Sequence, residues 1–185
     1  MDFQPLAIEG LWLATSKIHQ DNRGSFREWF RSDELMAKTA MEFAPLQANL
    51  SVSNKGVLRG IHYSLAVAGQ AKWVSCAAGT IWDVVVDLRT SSPTFKRSVC
   101  VELSSTRGEN LVISTGLGHA FLALEDNSVV SYLVTSKYSP QEEYSINPFD
   151  LELAIQWPKQ DFLLSVQDAE APEFLDSFKR GLLPK

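Results

Sequence analysis

From Leu46 to about Tyr138 the chain breaks into short runs rich in β-branched, aromatic and aliphatic residues, and this spacing limits the possible folds more than any other feature. The clearest runs are Lys72–Cys76, Ile81–Asp87, Ser98–Leu103, Leu111–Ile113, Ala120–Leu124 and Val129–Thr135. Between them stand turn formers: Ala78-Gly79, Ser91-Ser92-Pro93, Arg107-Gly108-Glu109-Asn110 and Glu125-Asp126-Asn127. Runs that recur about every ten residues with such punctuation predict an all-β sandwich or barrel. The long alternation of strand and helix that a Rossmann fold requires is absent. One short early helix is expected, with Ser32 as its N-cap, Asp33 and Glu34 in its first turn, and Leu35, Met36, Ala37 and Ala40 following. The stretch Ala171–Arg180, carrying Phe174, Leu175 and Phe178, is expected to form a short amphipathic helix packed on the sheet.

The length of 185 residues fits one domain, 1–185, with a core over about residues 46–138 and the two terminal segments packed on it. A chain of this size buries roughly 70% of its unfolded surface, so it needs neither metal nor disulfide to fold. Its net charge is −5 and no basic tract interrupts it, which argues against a nucleic-acid partner. A polyanionic small ligand needs only a local cluster of Arg and Lys. Cys76 and Cys100 each sit in an apolar β-like run and read as buried free thiols. Met1-Asp2-Phe3-Gln4-Pro5 has no basic region followed by an apolar one, and no apolar run approaches the length of a membrane span. A cytoplasmic protein without membrane contact is expected.

There are three histidines, His19, His62 and His119. A lone histidine is most often a surface or satisfied core residue, but two of these stand among glycines and aliphatics that read as strand and turn. His62 lies in Gly56-Val57-Leu58-Arg59-Gly60-Ile61-His62-Tyr63, and His119 in Gly116-Leu117-Gly118-His119-Ala120-Phe121. Gly56, five residues, then His62 resembles the opening of the first cupin motif. Gly116, two residues, then His119 resembles the end of the second. A metal cupin usually places a second His two residues after the first, where this chain has Ser64. Two motif histidines are too few for a His-rich metal site, so no metal and no cofactor are expected. Two pocket histidines without a metal point to acid–base chemistry.

The wider sequence narrows the resemblance. Asp21-Asn22-Arg23-Gly24-Ser25-Phe26-Arg27-Glu28, Gln47-Ala48-Asn49-Leu50-Ser51 and Lys55-Gly56-Val57-Leu58-Arg59-Gly60-Ile61-His62-Tyr63 resemble the DxRGxFxE, QxNxS and KGxxRGxHY segments of the dTDP-4-dehydrorhamnose 3,5-epimerases. Gln70-Ala71-Lys72, Asp83–Arg89, Ser92-Pro93-Thr94-Phe95, Gly118–Phe121, Tyr132, Tyr138, Trp157-Pro158 and Ser165-Val166-Gln167-Asp168 follow in the family's order, over roughly residues 8 to 170. The resemblance implies a cupin-like jelly roll, barrel or sandwich, with a few short peripheral helices. It implies an isomerase acting on a 4-keto-6-deoxyhexose carried by dTDP, in dTDP-rhamnose synthesis. The ketone acidifies the protons on C3 and C5, so epimerisation needs a base on one face of the sugar, an enolate stabiliser and an acid on the other. No hydride moves, and no Gly-rich dinucleotide fingerprint is present.

By resemblance, His62 is the base and Asp168 the carboxylate that fixes its tautomer. Lys72 faces the enolate oxygen, and Tyr132 returns a proton from the opposite face. His119 contacts substrate or enolate, with Asp83 orienting His119 or Lys72. Arg23 and Arg59 grip the diphosphate, as guanidinium forks do. Glu28, Gln47 and Asn49 surround thymine and deoxyribose, with Phe26 or Tyr138 as a stacking face. Taken alone, Lys72 reads as a solvent-facing strand residue, Tyr132 as core, Asp168 as a turn or helix N-cap, and Arg23–Glu28 as a charged edge strand.

The chain departs from the family pattern at Ser114, often Pro; at Gln167, often basic; and at Tyr138, in some members Trp. These bear on substrate preference rather than reaction class. Three other functions remain open at this point: an epimerase acting at C3 or C5 alone, a metal-dependent cupin enzyme, and a non-catalytic nucleotide-sugar binding module. The resemblance also implies a homodimer whose N-terminal segments reach the neighbour's sheet or pocket, and a reductase as a possible downstream partner.

Overall fold

All six runs expected between residues 72 and 135 are strands: β7 (Lys72–Ala78), β8 (Thr80–Asp87), β9 (Ser98–Ser104), β10 (Glu109–Ile113), β11 (Leu117–Ala123) and β12 (Ser128–Val134). The computed structural model describes all 185 residues and adds β1 (Asp2–Pro5), β2 (Leu11–Thr15), β3 (His19–Asp21), β4 (Gly24–Phe26), β5 (Gln47–Ser53), β6 (Leu58–Ser64) and β13 (Glu143–Ser145). Three short helices complete it: α1 (Ser32–Thr39), α2 (Val166–Ala169) and α3 (Phe174–Lys179). A six-stranded sheet runs β1-β2-β10-β7-β12-β5, and a five-stranded sheet runs β13-β6-β11-β8-β9. β3 and β4 form a separate hairpin. All pairings between these strands are antiparallel, and β2 and β10 pair although nearly a hundred residues separate them. This is the all-β sandwich that the spacing of the runs predicts, with the jelly-roll form that the resemblance implies.

Alternation along the strands makes three apolar layers. Leu11, Val74, Cys76, Ile81, Val85, Leu111, Phe121 and Val130 meet between the sheets. Neighbours of opposite parity, Val84, Val86 and Ala120, face outward beneath the C-terminal segment, where Ile146, Leu153, Phe174 and Leu183 cover them. On the other outer face Trp73 and Val112 pack under Leu35 of α1 and Phe43. No helix is long and apolar enough to cross a membrane.

Local expectations change at four places. Ser32 is the first residue inside α1 rather than its cap, because Leu35 N–H already donates to the carbonyl of Arg31, which holds the N-cap position. α3 spans only Phe174–Lys179. It buries Phe174 and Ser177, while Leu175 and Phe178 lie on its open side at 41% and 46% exposure. Cys76 is buried as expected, but Cys100 is only half-buried, on the outward face of β9; both are free thiols. Asp168 sits within the single turn of α2, and Ser165 is the cap: its Oγ accepts from Asp168 N–H.

Asp87 closes β8 and is fully buried. Its carboxylate accepts hydrogen bonds from Arg89 Nε and Nη2, both at 2.8 Å, and from Ser92 Oγ and Thr94 Oγ1, both at 2.6 Å. Burial pushes this carboxyl up, but the bonds from Arg89, Ser92 and Thr94 overcome burial and hold it at about 2. Asp87→Ala is expected to cost about 3 kcal/mol at pH 7, because it strands a half-buried guanidinium and two hydroxyls. The carboxylate's contribution is present above the ordinary Asp pKa of about 3.9 and is lost as pH falls through about 2. Urea unfolding of wild type and variant should therefore differ widely at pH 7 and converge in that acid window.

Candidate active site

A cavity of about 300 Å³ opens between the two sheets. Its walls come from inward positions on strands of both sheets. Gln47, Asn49 and Ser51 alternate along β5; Lys72 begins β7; Tyr132 lies on β12, in register with Asn49. These belong to the six-stranded sheet. From the five-stranded sheet come Arg59 and His62 on β6 and His119 on β11.

Arg59 and His62 are three residues apart, so strict alternation would send them to opposite faces. A bulge solves this. His119 pairs with His62, but Phe121 pairs with Arg59, so β6 carries one extra residue at Gly60-Ile61. Gly60 has φ +109°, and a Cβ there would lie 2.5 Å from the carbonyl oxygen of His119. Only glycine allows β6 to bulge while touching β11 so closely. The result sets two histidines side by side on neighbouring strands, each with its own carboxylate. His62 Nε2 is 2.6 Å from Asp168 Oδ1. His119 Nε2 is 3.0 and 2.8 Å from the two oxygens of Asp83.

Asp168 is buried, yet it remains a carboxylate. Burial raises it, but the His62 ring, the Ser165 hydroxyl (2.9 Å) and the Gly60 backbone N–H hold it below the usual range. A carboxylate facing Nε2 requires the proton there, which leaves Nδ1 of His62 as the basic nitrogen. The His62 side chain is 42% exposed and lines the cavity.

Lys72 is not the solvent-facing residue that its strand position implies taken alone. It is 6% exposed and points inward, and its Nζ makes a long hydrogen bond (3.4 Å) to the backbone carbonyl of His62. Burial lowers its pKa to about 8, against support from the carboxylates of Glu143 and Asp83. Tyr132, across the cavity from the histidines, is pushed up by burial, which keeps its phenol protonated. Gln47 Nε2 donates to Asn49 Oδ1 at 2.7 Å, and Gln47 Oε1 accepts from Tyr138 N–H at 2.9 Å, which fixes both amides at the mouth beside the exposed Tyr138. Arg59 extends its Nε to Ser53 Oγ at 3.2 Å. No group of three or more His, Cys, Asp or Glu side chains is placed to ligate a metal ion.

Ten of the residues singled out in the sequence therefore meet here: His62, Asp168, Lys72, Tyr132, His119, Asp83, Gln47, Asn49, Arg59 and Tyr138. Arg23, Phe26 and Glu28 do not. Arg23 and Phe26 lie on the β3–β4 hairpin, which lines a separate surface depression. Arg23 pairs with Asp21, Phe26 is 68% exposed, and Glu28 faces Arg31 at 3.5 Å. Conversely, Glu143, Gln70 and Ser51 line the cavity although the sequence reading gave them no role. Gln70 and Ser51 stand inside quoted motifs, whereas Glu143 follows a polar turn and carries no local signal.

The chain is similar to known proteins over nearly its whole length. The sequence profile of the dTDP-4-dehydrorhamnose 3,5-epimerase family matches residues 5–176. A Mycobacterium tuberculosis protein named dTDP-4-dehydrorhamnose 3,5-epimerase is 43% identical over 188 residues, covering 100% of this chain and 93% of its own. Among solved structures, NovW, a 4-keto-6-deoxy sugar epimerase from Streptomyces spheroides, superposes with a TM-score of 0.97 at 40% identity, covering 100% and 93% of the two chains. ChmJ, a 3'-monoepimerase from Streptomyces bikiniensis solved in complex with dTDP-quinovose, gives a TM-score of 0.94 at 43% identity, covering 98% and 92%.

Proposed function

The chain belongs to the dTDP-4-dehydrorhamnose 3,5-epimerase family of isomerases, and on that premise we propose that it epimerises C3 and C5 of dTDP-4-keto-6-deoxy-D-glucose to give dTDP-4-dehydro-L-rhamnose. His62 Nδ1 takes the proton from the carbon next to the ketone. Its Nε2–H stays on Asp168, which stabilises the imidazolium that forms. Negative charge moves to the ketone oxygen, where the Lys72 ammonium and His119 stabilise it. Tyr132 then donates its phenol proton to the other face of the carbon, and the configuration inverts. His62 then gives its abstracted proton to solvent and the Tyr132 phenolate regains one from solvent, after which the same groups repeat the transfer at the second carbon. The observation that carries this reading is that His62 and Tyr132 line one cavity from different sheets, with the buried Lys72 ammonium lining it too. The proposed chemistry is proton transfer alone, with neither metal nor cofactor, and the pairing of each cavity histidine with its own carboxylate, His62 with Asp168 and His119 with Asp83, supports it.

Arg59 holds the diphosphate in this reading, while Gln47 and Asn49 meet the thymidine and Tyr138 offers it a stacking face. Arg23, Phe26 and Glu28 complete the site in the second protomer of a homodimer. The exposure of Arg23 and Phe26 on the β3–β4 hairpin and the open apolar face of edge strand β5 (Leu50 and Val52, with Leu46 just before it) support that assembly. A complementation assay checks it. An equimolar, partner-exchanged mixture of Arg23→Ala and His62→Ala chains should regain about a quarter of wild-type activity, because half of the sites in mixed dimers are intact. Recovery no greater than the sum of the two variants would rule out the shared site.

A second reading has its own support. ChmJ, as similar as the named double epimerases, is a 3'-monoepimerase. Incubation with the 4-keto sugar in D2O separates the two. Deuterium at both C3 and C5 is the expected result, and deuterium at one carbon only would make this chain a single-site epimerase. Binding without exchange would leave a non-catalytic module. The product keeps its ketone, so a reductase is the class of enzyme that follows.

A further inference from the structure

Lys72 poses a problem that the reaction does not solve. An ammonium 6% exposed, with one long hydrogen bond to a carbonyl, must be held charged by its surroundings. The charged and titratable groups around it are Asp83 on β8, His119 on β11, His62 and Arg59 on β6, Tyr132 on β12 and Glu143 on β13. Arg59 has the wrong sign. Asp83 supports the ammonium and is itself fixed by His119, which faces both its oxygens. Glu143 gives the larger support and has no such histidine. It sits on β13, an edge strand three residues long that pairs only with β6, so its backbone alone constrains it little.

One side chain fixes it. Gln70 Nε2 donates to Glu143 Oε1 at 2.8 Å and to Ser136 Oγ at 2.9 Å, one amide proton for each. Gln70 thereby ties β13 to the segments entering β7 and leaving β12, two residues from Lys72 itself. This is the only side-chain hydrogen bond of Glu143, and the donor is neutral. An arginine or lysine in place of Gln70 would hold the carboxylate equally well but cancel its field at Lys72. A neutral amide fixes the anion and leaves its charge for the ammonium.

We propose that Gln70 is a positioning residue that holds the Glu143 carboxylate toward Lys72 and so keeps the buried ammonium protonated. Its effect on rate rests on the epimerase reading; its effect on charge does not. The test is therefore made first without substrate. In protein labelled with 13Cε-lysine, the Lys72 resonance is identified by its loss in Lys72→Met, and its titration midpoint is followed by NMR. In Gln70→Met, which keeps the length of the side chain but removes the amide, the midpoint should fall by about one pH unit. Glu143→Gln should lower it by a similar amount, and Gln70→Met added to Glu143→Gln should lower it no further. Gln70→Ala serves as the second variant should Gln70→Met not fold. With substrate, the alkaline limb of the epimerisation rate should move down by the same interval while dTDP affinity is unchanged. An unmoved Lys72 midpoint, or additive effects of the two substitutions, would overturn the proposal. Wild-type protein that shows the predicted titrations but exchanges no deuterium would overturn the epimerase reading and leave the positioning role intact.

Discussion

His62→Ala should reduce deuterium incorporation at C3 and C5 by about 10²–10⁴-fold, the usual contribution of a positioned general base. The size follows from how completely the structure commits this ring. Asp168 is a buried carboxylate with three donors, so it can accept the Nε2 proton but has no reason to take one for itself. Nδ1 is then the one nitrogen of His62 free to act as a base. The same argument makes Asp168→Asn a severe change at nearly constant volume. An amide rotated to donate to Nε2 would force the proton onto Nδ1, and the basic site would vanish without any loss of packing. Both variants should still bind dTDP, because neither side chain has a place in the proposed nucleotide contacts. A His62→Ala protein exchanging at the wild-type rate would sink the assignment of the base.

Lys72→Met is the second large effect, an expected fall in kcat of about 10²–10³-fold with little change in KM. The ammonium matters when charge arrives on the ketone oxygen, not before, so its loss falls on the transition state. Stability should move the other way. Replacing a buried charge by an apolar side chain of similar length is often neutral or stabilising, so the melting temperature should hold or rise while turnover collapses. The wild-type rate has a matching pH dependence. Burial lowers Lys72 to about 8, so the charged form prevails below that value and the rate should decline as pH rises through it. Parallel loss of melting temperature and activity in Lys72→Met would mean that the side chain serves the fold instead.

The architecture was legible because two-residue alternation and turn chemistry act locally. Each of the six runs from Lys72 to Thr135 could be read on its own, and each is a strand. Strands of polar or mixed character were harder. β5 exposes Leu50 and Val52 outward and turns Gln47, Asn49 and Ser51 inward, the reverse of a strand over an apolar core, because its inner face lines a cavity. The bulge in β6 was invisible for another reason. It depends on how closely β11 approaches Gly60, a tertiary fact that no spacing within Gly56–Tyr63 encodes. The burial of Lys72 also depends on partners, since a strand's two faces cannot be told apart until the sheets are paired. The pairing of Glu143 with Gln70 is not legible in the sequence, because 73 residues separate them and Glu143 carries no local signal. The resemblance brought Arg23, Phe26 and Glu28 forward, and in a single chain they lie away from the cavity.

The contact between Gly60 and the His119 carbonyl has a consequence for how this protein can be damaged. No reacting group belongs to Gly60, and a search for chemically capable side chains would pass over it. Yet one methyl group added there would meet the backbone at 2.5 Å, and β6 would have to retreat from β11. Such a lesion arises by addition rather than removal: every acid, base and cation would still be present, and only their separations would be wrong. Random mutation should therefore silence this enzyme as readily at its emptiest position as at its most reactive one.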